Sequence, residues 1–445
     1  MAGLLRNLHQ HFSVIVHVFL MLLFALPSLT VCAININNPS FTKKSFVDRQ
    51  ALLSFKSQID DPLGALATWH NDSANFCNWQ GITCSKKHAN RVIALDLHSK
   101  GLVGQIPLSI ANLSFLTTIH LSDNHLHSAI PYEIGGLNRL RKLNLSSYSL
   151  VAAGKMVPLF AIARYLKPWA WANRFEGPIP ASLVNASSLE VLDLGVNSFH
   201  GLVPKLGTLA MLKELDIGMN HLEEQDWSSL SSLTNCSNLA KLILDDNKFK
   251  GSLPESVGNF TINMNWLWLS KNNFSGIIPS SIGNLKNLTL LYAYQNQLTG
   301  SIPSTIGNLH KLGSLSLARN KLTGVIPNSI GNLHQVEELY LDNNELEGQI
   351  PSTLEGCKNL PILNLSSNCL NGNIPAELFR LSSLSRGLDL SHNLFSGSIP
   401  SQVGTWESYQ SWAVISFGKP TIRKSSIFPR TMCAFAIPAI GSELP

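Results

Sequence analysis

The sequence predicts an α/β solenoid, in which short strands and turns wind into coils that stack along one axis. Two observations support this prediction. A unit of 24 residues repeats without a gap in the middle of the chain, beginning with residues 311–334, KLGSLSLARNKLTGVIPNSIGNLH. Within the unit, leucines at an LxxLxL spacing turn alternate side chains of a short strand to one side. A single coil cannot bury a sufficient core, so the coils must stack on their neighbours.

An asparagine marks the turn that follows each strand. In residues 311–334, Leu312, Leu315 and Leu317 form the strand frame, and Asn320 follows the last of them. We expect its amide to hydrogen-bond main-chain groups that have no other partner. A period of this length on this leucine frame is typical of leucine-rich repeats. The predicted fold is therefore a right-handed leucine-rich-repeat superhelix with parallel β-strands on its concave face.

Twelve such repeats are recognisable over residues 91–406. Most continue after the asparagine with Leu or Phe and then x-Gly-x-Ile/Leu/Val-Pro, where glycine permits a tight backbone and proline disfavours a central strand. Repeat three is interrupted by a basic and aromatic insertion, residues 148–172, placed just before its asparagine, Asn173. The insertion is either a loop that contacts a ligand or, as we favour, a retained intron or gene-model error. Residues 407–445 form a non-repeat tail.

The N-terminus favours an extracellular protein. Residues 1–33 contain an early Arg6, a short apolar run and small residues at their end, which together are typical of a signal peptide. No other run reaches the roughly 18–20 apolar residues of a membrane helix, so we expect no membrane anchor in this chain. The predicted destination is the secretory pathway and then the extracellular space, or the plasma membrane if a full-length form exists.

Nine Asn-x-Ser/Thr sequons occur behind this predicted signal peptide, which indicates a glycoprotein. Many of these asparagines also belong to the Asn-Leu of the repeat. The predicted glycosylation sites are Asn71, Asn112, Asn144, Asn185, Asn235, Asn259, Asn273, Asn287 and Asn364.

The charge distribution argues against nucleic acid as a partner. The chain carries a formal charge of +5, but residues 1–33, 148–172 and 407–445 account for +1, +3 and +2 of it. The remaining residues have a charge of −1, which gives no electrostatic support for binding a polyanion.

Residues 45–90 differ from the repeats, and we expect them to form an N-terminal cap. We expect Asp48 to be the N-cap of a short helix, with Ile59 on the apolar side of that helix. Cys77 and Cys84 follow, close together in an oxidising compartment. We expect them to form a disulfide that holds the cap over the first coil, and the alternative is two free thiols.

Three features together resemble the ectodomain of plant leucine-rich-repeat receptor kinases. They are the CxWxGxxC of residues 77–84, the LxGxIP variant and the 24-residue period, and the likeness covers residues of about 45 to 406. Residues 235–239 (NCSNL) and 385–393 (SRGLDLSHN) resemble the subgroup that includes receptors for bacterial elicitors. The resemblance implies a peptide or protein ligand and a co-receptor kinase ectodomain as partners.

Full-length relatives in this family carry a serine/threonine kinase after a membrane helix. This chain contains no phosphate loop, HRD or DFG motif, and no nucleophile with a base and an orienting group can be assembled from the repeats. We therefore expect this chain to have no enzyme activity and no cofactor.

We expect a ligand to bind where the strand face departs from the repeat pattern. Trp266, Trp268, Tyr292, Tyr294 and Tyr340 belong to strands of nearby coils, and neighbouring strands lie about 5 Å apart. Exposed aromatic clusters are common hot spots of binding surfaces, whereas the alternative is that these rings only cover the sheet or face sugars. The predicted ligand-binding residues are Trp266, Trp268, Lys271, Tyr292, Tyr294, Arg319, Tyr340 and Asp342.

Histidines give a weaker signal. His98, His120, His125 and His127 cluster in the first two coils. No carboxylate or thiol is evidently placed to complete a metal site with them, so we predict no metal.

The sequence therefore favours an extracellular recognition module: the ectodomain, or a truncated secreted form, of a receptor-like kinase. It would bind a peptide or protein elicitor and start defence or developmental signalling. The alternative is a secreted inhibitor of a microbial cell-wall-degrading enzyme, similar to plant polygalacturonase-inhibiting proteins. Such inhibitors normally end in a cysteine-paired cap, for which residues 407–445 show no pattern.

Overall fold

A computed structural model describes residues 43–72, 75–88, 90–147, 173–396, 398 and 400–402. Within these ranges the chain is a leucine-rich-repeat solenoid, with two sheets of stacked short strands and a row of 3-10 helices. The predicted signal peptide, the insertion at 148–172 and the tail at 407–445 lie outside the described residues. The right-handed winding stays a prediction.

The first sheet, here called the face sheet, contains thirteen strands, and all but the first neighbouring pair run parallel. In each three-residue parallel strand the central aliphatic residue points into the core and pairs with its equivalent in a neighbouring coil, as Leu315 does with Leu339. The strands are Ile82–Cys84, Val92–Asp96, Thr118–His120, Lys142–Asn144, Val191–Asp193, Glu214–Asp216, Lys241–Ile243, Trp266–Trp268, Leu290–Tyr292, Ser314–Ser316, Glu338–Tyr340, Ile362–Asn364 and Gly387–Asp389.

The second sheet is built, after its first two strands, from the residues that follow each repeat asparagine. Its first two strands pair antiparallel and the others pair parallel. The strands are Ile59–Asp60, Val103–Gly104, His125–Ser128, Arg174–Gly177, Ser198–Gly201, His221–Glu224, Lys248–Ser252, Asn273–Ile277, Gln297–Gly300, Lys321–Val325, Glu345–Gly348, Cys369–Gly372 and Leu394–Phe395.

Short helices complete the coils. Most of the 3-10 helices begin directly after a proline such as Pro303, whose fixed φ suits a helix entry. They are Phe76–Asn78, Leu108–Asn112, Tyr132–Gly136, Ala181–Asn185, Leu206–Thr208, Ser232–Asn235, Glu255–Asn259, Ser280–Asn284, Ser304–Asn308, Asn328–Asn332, Ser352–Gly356 and Ala376–Arg380. The α-helices are Lys43–Ser57 and Ser228–Ser231, and no helix in the described part of the chain is both long and apolar enough to cross a membrane.

The predicted role of the asparagines is confirmed. The side-chain amide of Asn320 donates to the carbonyl oxygens of Ala293 and Leu317 at 2.9 and 3.0 Å, and its Oδ1 accepts from the amide of Leu298 at 3.0 Å. One side chain thus joins its own coil to the preceding one. Asn173 makes equivalent hydrogen bonds in repeat three, although the 25 residues 148–172 separate it in sequence from Ser147 of the same coil.

The residue before the asparagine has a left-handed backbone in ten coils, and so does Ser99, which precedes Lys100 in the first coil. In eleven coils φ at this position lies between 51° and 56°. This conformation costs a non-glycine residue roughly 1–2 kcal/mol, and the asparagine hydrogen bonds hold it in place. The residues are Ser99, Asp123, Val196, Met219, Asp246, Lys271, Gln295, Arg319, Asn343, Ser367 and His392.

The N-terminal cap differs from the prediction at Asp48. Because the helix spans Lys43–Ser57, Asp48 lies inside it and is not its N-cap. Its buried carboxylate accepts two hydrogen bonds from the guanidinium of Arg91 and one from the amide of Val92, each at 2.8 Å. Since a buried charge is tolerated only when paired, Asp48 anchors the helix to the first coil. Ile59 is likewise not on the helix but in the second sheet.

The predicted disulfide between Cys77 and Cys84 is confirmed, with the two Cα atoms 5.5 Å apart. The rings of Trp69 and Trp79 stack beside it with centroids 5.6 Å apart. The indole N–H of Trp69 donates to the carbonyl of Gln80 at 2.9 Å, so this ring is buried with its polar atom satisfied.

Candidate ligand-binding face

The predicted aromatic residues meet on the outer side of the face sheet, opposite the leucine core. The register pairs Trp268 with Tyr292, whose ring centroids lie 5.4 Å apart in an edge-to-face arrangement. Tyr294 approaches Tyr292 at 6.3 Å and also packs against the cluster that contains Tyr340. We call Trp266, Trp268, Tyr292, Tyr294 and Tyr340 the aromatic patch.

The aromatic patch is less exposed than the sequence led us to expect. Trp268, Tyr292 and Tyr340 are only 4%, 1% and 2% exposed, because neighbouring rings and aliphatic side chains close over them. Trp266 and Tyr294 keep a partly exposed surface. The expectation of exposed rings is therefore wrong for three of the five. The buried rings support Trp266 and Tyr294, which form the accessible part of the patch.

The hydroxyl groups of Tyr292 and Tyr294 are largely shielded from solvent. The hydroxyl of Tyr292 lies 2.8 Å from the Oγ of Ser314 and donates to the carboxylate of Glu338 at 3.4 Å. Burial, reinforced by Glu338, raises the pKa of Tyr292, so the phenol stays protonated. Burial and the nearby carboxylate of Asp245 also raise the pKa of Tyr294.

A polar groove of about 700 Å³ lies beside the aromatic patch. Asp246, Lys271, Gln295 and Arg319 line it from the left-handed positions of four successive coils. Lys271 is paired with Asp246 at 3.2 Å, whereas no ion pair within the described ranges involves Arg319. Four basic and two acidic residues line the groove, so it favours an anionic group. The other lining residues are Glu223, Asn247, Lys248, Lys250, Asn272, Asn273, Asn296 and Gln297.

Asp342, the last of the predicted ligand-binding residues, follows the strand of the next coil. The backbone amide of Arg319 donates to its carbonyl oxygen at 2.8 Å. Its carboxylate accepts from the side-chain amide of Asn343 at 2.8 Å, and burial raises the pKa of Asp342. The predicted residues therefore occupy one continuous part of the face sheet, with Asp342 at its buried margin.

Lys241 belongs to this site although sequence reasoning missed it. Its ammonium group lies 4.8 Å from the centroid of the Trp266 ring and 2.9 Å from the carboxylate of Glu214. A cation over an indole face stabilises the ring position. The only signal in the sequence was the spacing, since Lys241 and Trp266 occupy the same position of adjacent strands.

Asp193, Asp216 and Asp245 form a buried acidic row on the coils that precede the aromatic patch. They are 3%, 6% and 4% exposed. Glycines in the preceding coils make room for two of them: a Cβ on Gly195 would lie 2.9 Å from the Oδ1 of Asp216, and one on Gly218 would clash with Asp245. Burial raises the pKa of all three carboxyls, that of Asp216 to about 6.

The histidines of the first two coils contradict the sequence argument that no carboxylate is placed beside them. The Oδ1 of Asp96 lies 2.7 Å from the Nδ1 of His98 and 3.2 Å from the Nδ1 of His120. His125 and His127 belong to the second sheet instead. Asp96 was overlooked because aspartate recurs at this strand position in several repeats.

The nine predicted glycosylation asparagines differ in accessibility. Asn144 and Asn364 lie in face-sheet strands, where each Oδ1 accepts from the serine two residues later. Asn287 is also half-buried. Glycosylation stays a prediction, for which the exposed candidates are Asn71, Asn112, Asn185, Asn235, Asn259 and Asn273.

Family comparisons agree with this architecture. The leucine rich repeat N-terminal domain family matches residues 47–85, and a leucine rich repeat family matches residues 295–346. A second leucine rich repeat family matches residues 115–137, 263–285 and 386–406.

Curated relatives are plant receptors. The chain is 48% identical over 96 residues to the LRR receptor-like serine/threonine-protein kinase EFR of Arabidopsis thaliana, which is 21% of this chain and 9% of the relative. It is 31% identical over 217 residues to receptor-like protein EIX1 of Solanum lycopersicum, which is 44% of this chain and 18% of the relative. The matched part therefore spans less than a fifth of the length of these relatives.

Solved structures show the same relationship. The plant peptide hormone receptor RGFR1 in complex with RGF2 matches 73% of this chain and 48% of its own, with 31% identity and a TM-score of 0.64. The PEPR1-AtPEP1 structure matches 84% of this chain and 52% of its own, with 29% identity and a TM-score of 0.67. This chain is a leucine-rich-repeat protein whose relatives are plant leucine-rich-repeat receptor kinases and receptor-like proteins.

Proposed function

We propose that this chain is an extracellular recognition module, the ectodomain or a secreted form of a receptor-like kinase, that binds a peptide or protein ligand on its face sheet. The observation that carries the proposal is the aromatic patch beside the polar groove. The likeness to a plant peptide hormone receptor over 73% of this chain supports it. The disulfide between Cys77 and Cys84 is consistent with an oxidising extracellular compartment.

The geometry suggests how a ligand would be held. Trp266, in a strand, and Tyr294, two residues after the next strand, offer partly exposed ring surface, and the buried rings packed against them keep that surface in place before the ligand arrives. An apolar ligand side chain would pack there. The net positive groove beside it would receive an anionic group near Arg319.

We further propose a second partner and an output. As in the receptor kinases that the sequence resembles, ligand binding would promote pairing with a co-receptor kinase ectodomain near the C-terminal coils. That pairing would start defence or developmental signalling. The relative named EFR is a receptor-like serine/threonine kinase, which supports an output through a kinase rather than through this chain itself.

The test is a comparison of ligand capture by three versions of the full chain. Wild type, a Trp266→Ala/Tyr294→Ala variant and a Tyr132→Ala control are exposed to fractionated secreted plant peptides and to microbial culture filtrates. Tyr132 is an aromatic residue exposed on a 3-10 helix outside the patch. We expect the patch variant to lose at least roughly tenfold in affinity for the bound peptide or protein, because two hot-spot side chains are removed.

Affinity for a captured ligand is then measured by calorimetry, and circular dichroism confirms that each variant is folded. A ligand bound equally by the folded patch variant and by wild type would contradict the proposed site. If no peptide or protein binds wild type from either source, the recognition function itself is wrong.

A further inference from the structure

Three side chains with metal-ligand chemistry converge at the N-terminal end of the face sheet. Asp96 and His120 are paired neighbours on adjacent strands, and His98 follows Asp96 on the same side of the sheet. One potential ligand atom from each residue lies within 4.8 Å of the others. Both Nδ1 atoms approach the same oxygen, Asp96 Oδ1, at 2.7 Å from His98 and 3.2 Å from His120.

The imidazole rings of His98 and His120 are stacked on each other. Their centroids lie 4.6 Å apart and their planes differ by 17°. Two protonated imidazoles at this distance would repel each other, whereas two neutral rings can share one cation.

A further residue orients the site. The Nε2 of His120 lies 2.9 Å from the Oγ of Ser122, which is itself buried. A hydrogen bond at the second ring nitrogen is the usual way in which proteins orient a histidine that ligates a metal. With Nε2 bonded to Ser122, Nδ1 is the nitrogen that faces Asp96.

The carboxylate of Asp96 is accessible from solvent. The side chains of His98, Asp96 and His120 are 49%, 48% and 29% exposed, so an ion can reach them from solvent. A further carboxylate, Asp123, interacts electrostatically with His98 and adds negative charge to the approach.

We propose that Asp96, His98 and His120 form a binding site for a divalent transition-metal ion of the zinc type. Two imidazole nitrogens and one carboxylate oxygen are the ligand types that Zn²⁺ takes, and three protein ligands leave a fourth position for water or a group from a partner. Ca²⁺ and Mg²⁺ prefer more oxygen ligands than the cluster offers. This site lies in coils one and two, far along the chain from the aromatic patch, and does not depend on the proposed function.

The test uses the full chain, freed of metal with a chelator and titrated with ZnCl₂ or MgCl₂ in a calorimeter. We expect one Zn²⁺ per chain and no measurable Mg²⁺ binding. His98→Ala and His120→Ala should each weaken Zn²⁺ binding roughly 10- to 100-fold. His127→Ala is the matched control, because His127 lies in the same coil as His120 but on the second sheet, and its affinity should equal that of wild type. Addition of CoCl₂ should give visible absorption that His120→Ala abolishes.

Two results would overturn the proposal. One is the absence of stoichiometric Zn²⁺ binding to wild type at concentrations up to about 1 mM, the weak limit of specific affinity. The other is Zn²⁺ binding that an Asp96→Asn/His98→Ala variant retains, which would locate the ion elsewhere. Circular dichroism without metal shows whether this variant is folded, as expected for side chains that are about half exposed.

Discussion

The acidic row and the aromatic patch occupy equivalent repeat positions on one side of the face sheet, but one buries carboxyl groups and the other buries aromatic rings. Asp216 stands in the last position of its strand, as Tyr292 does in the strand Leu290–Tyr292. Both are buried on the side of the sheet that faces away from the leucine core. The repeat therefore supplies one backbone scaffold, and the chemistry of each region depends on the side chains that neighbouring coils bring together.

The space available beside the buried side chains also differs between the two regions. Gly218, beneath Asp245, corresponds to Tyr294 and Ala318 in the patch, so the acidic row has space where the patch has side chains. A buried carboxyl without a full counter-charge is most stable when protonated, whereas a buried ring has no such requirement. The acidic row should therefore respond to pH, and the aromatic patch should not.

The largest expected difference concerns pH. Because burial raises the pKa of Asp216 from 3.8 to about 6, the protonated carboxyl contributes stability below about pH 4 that is lost as the pH rises through 6. We expect wild type to lose on the order of 2–3 kcal/mol from this group between pH 4 and pH 7. Asp216→Asn should remove that part of the dependence in urea unfolding at both pH values.

Glu337→Gln provides the control for this experiment, since Glu337 is an exposed carboxylate beside the patch. Its unfolding midpoint should depend on pH as that of wild type does. A pH dependence that is identical in wild type and Asp216→Asn would show that the acidic row does not titrate on unfolding.

A smaller effect is expected from the space beside the acidic row. In Gly218→Ala the new Cβ would clash with the buried Oδ1 of Asp245 and approach the Ile243 side chain to 3.3 Å. We expect a loss of about 1–3 kcal/mol in the free energy of unfolding, measured by urea at pH 5.

The matched change beside the patch is Ala318→Gly, which removes a Cβ at the equivalent position of the repeat, next to Tyr340. It should reduce the free energy of unfolding by no more than about 1 kcal/mol. Equal losses in the two variants would mean that the two regions do not differ in packing at this position.

An effect smaller than that of the acidic row's titration is expected from the buried hydroxyl of the aromatic patch. Tyr292→Phe keeps the ring but removes the hydroxyl that contacts Ser314 and Glu338. Loss of this hydrogen bond should reduce the free energy of unfolding by about 1–2 kcal/mol in urea unfolding at pH 7. Tyr132→Phe, at an exposed tyrosine, should have no measurable effect. A Tyr292→Phe variant as stable as wild type would show that the buried contact is not a net stabiliser.

The sequence predicted the fold more completely than the site because the fold depends on repetition. Residues equivalent to Leu315 and Asn320 recur in most coils with similar neighbours, so one unit describes most of them. The burial of Trp268 depends on which residue stands at the same position in the next coil, 24 residues away. No property of a single coil contains that information, and the same reasoning explains why Lys241 was missed.

Asp48 and Asp96 show the same limit for charged residues. Aspartate near a helix start is a common N-cap, and the partner that gives Asp48 another role, Arg91, is 43 residues away. Aspartate between strand leucines is common in this chain, and only the stacking of the first two coils brings His120 to Asp96 as a second imidazole beside His98.

By itself, the sequence determined the winding of the chain into coils, the asparagine ladder that joins them and the disulfide of the cap, because each depends on residue types at short and repeated spacings. The tertiary structure decided which rings are buried, which carboxyls have a raised pKa and where Asp96 meets a second imidazole. Those outcomes depend on distances between coils, and solvent is excluded or admitted only after the coils have stacked.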